Sequence, residues 1–218
     1  MMSSEQVKSI VKDVHQSGVM GDNPMLILQP ILNLIAFVAW IVLLVQMLSL
    51  GKNPRDITVF MLTLGCECIC LLEVMQICAG LIKGNVAFAL VLHYTRMLLL
   101  LGVLIKPHIA ASEAGHAIIY AWAITEVCRY PYYMSPNSSI CRKLRYIVPL
   151  ITFPIGAVAE AYCAYLAFPL IKHRLLKSMV GMVVPTNLIG GAFVYANIAG
   201  KAQSALSPKP ASAGIKTD

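Results

Sequence analysis

The sequence predicts an all-α protein: a polytopic membrane bundle of six transmembrane helices. Three observations carry that prediction. The 218 residues are 58% hydrophobic and 12% charged, about half the charged fraction of a soluble domain. Several stretches reach the roughly 20 apolar residues that a helix needs to cross a bilayer. Polar turns separate these stretches, and a chain of this length accommodates one membrane domain.

The elements follow in order. Residues 1–24 are polar and read as a cytosolic tail, with no apolar core of a cleaved signal peptide. Val7, Ile10, Val11 and Val14 recur at helical spacing beside Lys8 and Lys12. That pattern fits an amphipathic helix on the membrane surface, or an ordered tail without lipid contact. The membrane domain covers 25–200. Its first span runs over 26–50 and stops at the polar turn Gly51-Lys52-Asn53-Pro54-Arg55-Asp56. The second covers 57–82, and Lys83-Gly84-Asn85 makes a tight turn. The third covers 86–105 and ends at Lys106-Pro107-His108. The fourth covers 116–133, where Pro131 bends or ends it. A polar loop from Ser135 to Ser139 leads to Arg142, Lys143 and Arg145. The fifth covers 146–170, and the cluster Lys172, His173, Arg174 and Lys177 separates it from the sixth, 179–199. Residues 201–218 read as a disordered cytosolic tail.

An even number of spans puts both termini on one side. That side carries Lys8, Lys12, Lys83, Arg142, Lys143, Arg145, Lys201, Lys209 and Lys216; the other carries Lys52, Arg55, Lys106, Lys172, Arg174 and Lys177. The excess favours cytosolic termini. The net charge is +7, but no basic tract is interleaved with aromatics, which argues against nucleic-acid binding. The lipid bilayer or an anionic substrate headgroup is the expected partner of those charges. The seven cysteines form neither a disulfide framework nor a zinc pattern, and they read as packing residues. No metal or other cofactor is called for. No internal repeat is evident, which weighs against an inverted-repeat transporter.

Chemistry must come from ionisable groups inside the spans: Glu67, Glu73, His93, Arg96, Glu126, Arg129 and Glu160. Such residues pair or line a cavity. Glu126, Arg129, Tyr130 and Tyr133 share a helix face. Glu126–Arg129 reads as an internal ion pair, and Arg96 as a counter-ion to Glu73 or Glu126 or as a substrate contact. Four acids against two guanidiniums leave at least one acid without a full partner. Glu160 is the leading candidate. It shares a face with Phe153 and Tyr146, Gly156 leaves open space one turn before it, and Pro149 and Pro154 free carbonyls nearby.

Three blocks then become recognisable: Trp122-Ala-Ile-Thr-Glu126-Val-Cys-Arg129-Tyr130-Pro-Tyr-Tyr133, Arg145-Tyr146, and Phe153-Pro154-Ile-Gly156-Ala-Val-Ala-Glu160. Together they resemble the very-long-chain (3R)-3-hydroxyacyl-CoA dehydratases, a family first named protein-tyrosine-phosphatase-like A. Leu72-Glu73, Gly80 and Thr95-Arg96 stand where that family has its LE, G and SR elements, and Asn33 and Trp40 fit its first span. The resemblance covers roughly residues 30–170. It implies six spans, residence in the endoplasmic reticulum membrane and cytosolic termini. It also implies the third step of fatty acid elongation, loss of water from a 3-hydroxyacyl-CoA to give the trans-2-enoyl-CoA, in company with the other elongation enzymes. The old name implies nothing about phosphatase chemistry here: that needs Cys-x5-Arg, and Cys163 is followed at that spacing by Pro169.

The family pattern is Tyr-Pro-x-Gly-x-x-x-Glu, with the Tyr and Glu as catalytic pair. The Glu falls on Glu160, and the Tyr falls on Phe153. Phenylalanine keeps the ring and lacks the hydroxyl, and losing a general acid or base costs about 10²–10⁴-fold in rate. Three outcomes stay open. Tyr146, Tyr130 or Tyr133 supplies the hydroxyl; Glu160 shuttles the proton alone; or the protein is a non-catalytic acyl-CoA-binding or scaffold subunit of the elongase complex. Arg145, with Arg142 and Lys143, is placed to meet the phosphates of CoA.

Overall fold

The computed structural model describes residues 24–49, 51–80 and 85–206. The predicted surface helix at Val7–Val14, the turn residues Lys83 and Gly84, and the tail beyond 206 lie outside the described residues. Among the described residues the fold is all-helical. Helix α1 is Pro24–Leu48, α2 Ile57–Cys78, and α3 Val86–Leu99, which continues through a π turn at Leu100–Leu104. The short α4, Pro107–Ala110, leads to α5, Glu113–Met134. Helix α6 is Ser139–Ala167, α7 Arg174–Pro185, and α8 Gly191–Leu206, with a π turn at Thr186–Gly190 joining the last two.

Local chemistry sets these boundaries. Asn85, Ser112 and Ser138 cap α3, α5 and α6, each side chain accepting from the N–H three residues on, at 3.0, 3.1 and 3.3 Å. The Ser138 cap starts α6 earlier than the hydropathy does, so Arg142, Lys143 and Arg145 stand in its first turns and not in a loop. Pro131 does not end α5. It falls in the last turn, and the helix runs on to Met134. Helix α8 also extends past the expected end at 199 to Leu206, through the stretch Lys201–Leu206 read as the start of the tail. Lys201, Ala202, Gln203 and Ala205 favour helix, and no proline intervenes before Pro208.

Five helical runs are long and apolar enough to cross a membrane: Gln29–Leu48, Ile57–Cys78, Val86–Leu104, Ser139–Leu170 and Arg174–Leu206. Helix α5 matches them in length with 22 residues but carries Glu113, Glu126 and Arg129. Its position explains that polarity. It packs against α6 on one side and α1 on another, so its polar side chains meet protein. The outer helices show the reverse pattern. On α1, Ala36, Trp40, Leu43 and Met47 are buried, while Ile31, Leu34, Ile35, Val38, Val42 and Val45 are exposed. An apolar stripe of that extent suits lipid and not water.

Helices α5 and α6 run antiparallel and close together. A Cβ placed on Gly156 would lie 3.3 Å from the Ala121 Cβ, and Ala159, Ala161, Ala164 and Ala167 are buried along the same helix. Small residues let the two backbones approach. That approach brings Trp122 of α5 within hydrogen-bond reach of Glu160.

Candidate active site

Five charged side chains from three helices form a chain in the core. One nitrogen of Arg96, Nη1, donates to Glu67 Oε1 at 3.0 Å and to Glu126 Oε1 at 2.9 Å. Arg129 Nη2 donates to Glu73 Oε2 at 2.8 Å, and its Nε lies 2.7 Å from Glu126 Oε2 in an ion contact without hydrogen-bond alignment. His93 Nδ1 lies 3.2 Å from Glu67 Oε2. Glu67, Arg96 and Glu126 are buried. The arrangement ties α2, α3 and α5 together. Arg96 pairs with Glu126, as one of the expected alternatives has it, and with Glu67, whereas Glu73 goes to Arg129.

Glu160 stands apart from this chain. Its Oε1 accepts from Trp122 Nε1 at 2.8 Å, and its Oε2 accepts from Asn187 Nδ2 at 2.8 Å. Both donors are neutral, and no ion pair to Glu160 exists among the described residues. Of Glu67, Glu73, Glu126 and Glu160, it is the one without an ion pair. A link to the charged chain exists all the same: the guanidinium carbon of Arg96 lies 5.2 Å from the centre of the Trp122 ring. That places a cation on one face of the indole whose N–H holds the carboxylate.

Phe153 and Gly156 lie on α6 before Glu160. A Cβ built on Gly191 would meet the Phe153 ring at 3.8 Å (Cε1) and 4.0 Å (Cζ). Phe153 and Glu160 therefore face the same stretch of the last helical run, at Gly191 and Asn187. Gly156 is buried against α5. Tyr146 is elsewhere. It precedes Glu160 by fourteen residues, about 21 Å of helix rise, and its ring lies 6.4 Å from that of Tyr132. Arg145 sits among these rings, 4.4 Å from Tyr133, 4.9 Å from Tyr132 and 5.7 Å from Tyr146. Tyr130 is buried, with its hydroxyl 3.3 Å from Cys70 Sγ and accepting from Arg129 Nη2 at 3.1 Å. Glu160 bonds to Trp122 and Asn187 and not to Tyr130, Tyr133 or Tyr146, so the structure brings together Glu160, Trp122 and Asn187, and separately Arg145, Tyr132, Tyr133 and Tyr146.

Asn187 was missed by sequence reasoning, and Trp122 entered only as part of a motif. The one signal for Asn187 was its place in the last apolar span, between Pro185 and Gly190-Gly191. Glu67 and His93 were visible as buried ionisable residues, but not as partners of Arg96.

Each carboxylate oxygen has two acceptor positions. One donor on each oxygen of Glu160 leaves the other positions open, so this carboxylate can still take up a proton. The acids of the charged chain are instead paired with guanidinium groups. Fold and site define an all-helical protein with five helical runs long and apolar enough to cross a membrane, and with the Glu160 carboxylate held between helices by two neutral donors.

Residues 67–200, more than half of the chain, match the family described as "Protein tyrosine phosphatase-like protein, PTPLA", and the chain belongs to that family. Among curated proteins it is 30% identical over 128 residues to "Very-long-chain (3R)-3-hydroxyacyl-CoA dehydratase" of Gallus gallus, covering 56% of this chain and 35% of that protein. It is 25% identical over 114 residues to "Very-long-chain (3R)-3-hydroxyacyl-CoA dehydratase 2" of Mus musculus, covering 50% and 45%. The Danio rerio dehydratase of the first name is 24% identical over 119 residues, covering 52% and 33%. The matched stretch thus spans less than half the length of these relatives. No solved structure matches the chain at a significant level.

Proposed function

We propose that this protein dehydrates a very-long-chain (3R)-3-hydroxyacyl-CoA to the trans-2-enoyl-CoA, the third step of fatty acid elongation. The carrying observation is Glu160, a carboxylate among membrane helices held by Trp122 and Asn187 with no cation in contact. Family membership and the names of the relatives supply the substrate class.

The reaction needs two proton events. Glu160 takes the proton from C2, which the thioester acidifies, and the electron pair of that C–H bond forms the C2–C3 double bond. The hydroxyl on C3 leaves with the proton that Glu160 returns, as water, and the carboxylate is regenerated. Glu160 alone balances the step, because Phe153 offers no hydroxyl and Tyr146 is about 21 Å along the helix. Arg96, Glu126 and Arg129 keep Trp122 and the surrounding helices in place. Gly156 keeps α5 and α6 close. Arg145, in its ring of tyrosines, meets the CoA phosphates at the cytosolic end of α6, with Tyr133 and Tyr130 supporting it.

In this reading α5 is a sixth span, shielded from lipid by its neighbours. Both termini are cytosolic, the membrane is that of the endoplasmic reticulum, and the other elongation enzymes are the partners. Phe153 favours a second reading, in which the chain binds acyl-CoA or scaffolds the elongase without turnover.

The test is purified protein in detergent given a 3-hydroxyacyl-CoA, with the enoyl product followed over time. Wild-type protein is expected to form product, and Glu160→Gln to lose roughly 10²–10⁴-fold of that rate while still accumulating. Equal turnover by the Gln variant sinks the lyase reading. No turnover by wild type, with retained acyl-CoA binding, supports the scaffold.

A further inference from the structure

We infer that Asn187 is a positioning residue for Glu160, delivered to it by the break in the last helical run. The break is built from Pro185, which has no N–H to donate, and the π turn Thr186–Gly190 that follows it. π turns inside α-helices recur at functional sites. This one carries Asn187, and the first residue beyond it is Gly191. Both face α6, Asn187 opposite Glu160 and Gly191 opposite Phe153.

Trp122 and Asn187 grip the carboxylate from different helices, one donor per oxygen, both at 2.8 Å. Two bonds from opposite sides fix the plane of the group, which a single bond does not. The grip adds no positive charge. A lysine in place of Asn187 would hold the carboxylate as tightly and would oppose its taking up a proton. The bond also ties down a weakly seated element, since Gly191 and Ala202 are the buried residues of α8 and none is buried in the π turn. Without Asn187 the carboxylate swings on Trp122 alone, and the last span loses a polar tie to the bundle.

The kinetic part of this inference rests on the dehydratase reading, so the test has a second readout that does not. Asn187→Leu removes the donor while keeping the branched outline, and Asn187→Ser, smaller and too short to reach Glu160, is read in its place if the leucine variant does not accumulate. In detergent, kcat for a 3-hydroxyacyl-CoA is expected to fall roughly ten- to a hundredfold, the size of one hydrogen bond to a charged group, with KM within about twofold. In parallel, purified protein is treated with dicyclohexylcarbodiimide, and adduct formation on Glu160 is timed by mass spectrometry. The variant is expected to label several-fold faster than wild type, because one carboxyl oxygen is released. An active wild type with unchanged kcat in the variant overturns the inference and leaves the dehydratase reading intact. An inactive wild type removes that reading, and the labelling rate then decides alone: faster labelling upholds Asn187 as the residue that holds Glu160. Equal labelling overturns the inference whatever turnover does.

Discussion

The indole N–H of Trp122 reaches Glu160 Oε1 at 2.8 Å across 38 residues of sequence, while the same ring carries the Arg96 guanidinium 5.2 Å from its centre. One side chain thus joins the buried ion chain to the isolated acid without placing a cation on that acid. The guanidinium lies over the face of the indole and the carboxylate meets its N–H edge.

Trp122→Phe keeps a ring for Arg96 to stack on and deletes the N–H. The freed acceptor costs about 1–3 kcal/mol of local interaction. Turnover of a 3-hydroxyacyl-CoA is expected to fall about tenfold or more, with a smaller loss of thermal stability in detergent. Initial rates and an unfolding curve on the same preparation separate the two.

Arg96→Met leaves Glu67 and Glu126 buried without their shared cation, a change of about 3–5 kcal/mol. The variant is expected to accumulate poorly. Arg96→Lys is the informative companion. A single nitrogen, Nη1, makes both carboxylate contacts, so an ammonium can replace it there but cannot stack as a plane on Trp122. Stability near that of wild type with reduced turnover is the expected pair of results. Equal losses of stability in both variants would count against the stacking role.

Two glycines, Gly115 against the backbone of α4 and Gly156 against α5, should respond differently to alanine. At Gly115 a Cβ would fall 2.5 Å from the Ala110 carbonyl oxygen and 2.6 Å from that of Ile109. Backbone has to move, and a loss of about 1–3 kcal/mol or more is expected. At Gly156 the clash is 3.3 Å against the Ala121 Cβ, so Gly156→Ala should be much milder. Melting temperatures of the two variants in one detergent test the order.

Phe153→Tyr restores the family hydroxyl at the Cζ end of the ring, which faces Gly191. If Glu160 now works alone, turnover should rise by up to about 10²–10⁴-fold. No gain in the tyrosine variant would mean that position 153 no longer borders the reacting atoms.

Several features were legible because they are local. Several span ends follow from polar turns and caps, and Glu160 announces itself as an acid in an apolar helix. The six-span count was less secure for a reason also visible afterwards. Helix α5 is wrapped by its neighbours, so hydropathy cannot report it as it does the lipid-facing runs. The start of α6 at Ser139 was set by a serine cap against a hydropathy minimum, and the end of α8 by helix propensity after apolarity had faded.

The amino-acid order by itself determined the membrane class, the all-helical architecture and the family, and it singled out Glu160 beside an altered Phe153. Only the tertiary structure decided who holds whom: Arg96 with Glu67 and Glu126, Arg129 with Glu73, and Glu160 with Trp122 and Asn187. Helical periodicity says which side chains share a face of one helix. Which face meets which, and at what height, depends on how small residues such as Gly156 and Ala121 let two helices settle together, and that register exists only once the bundle is packed.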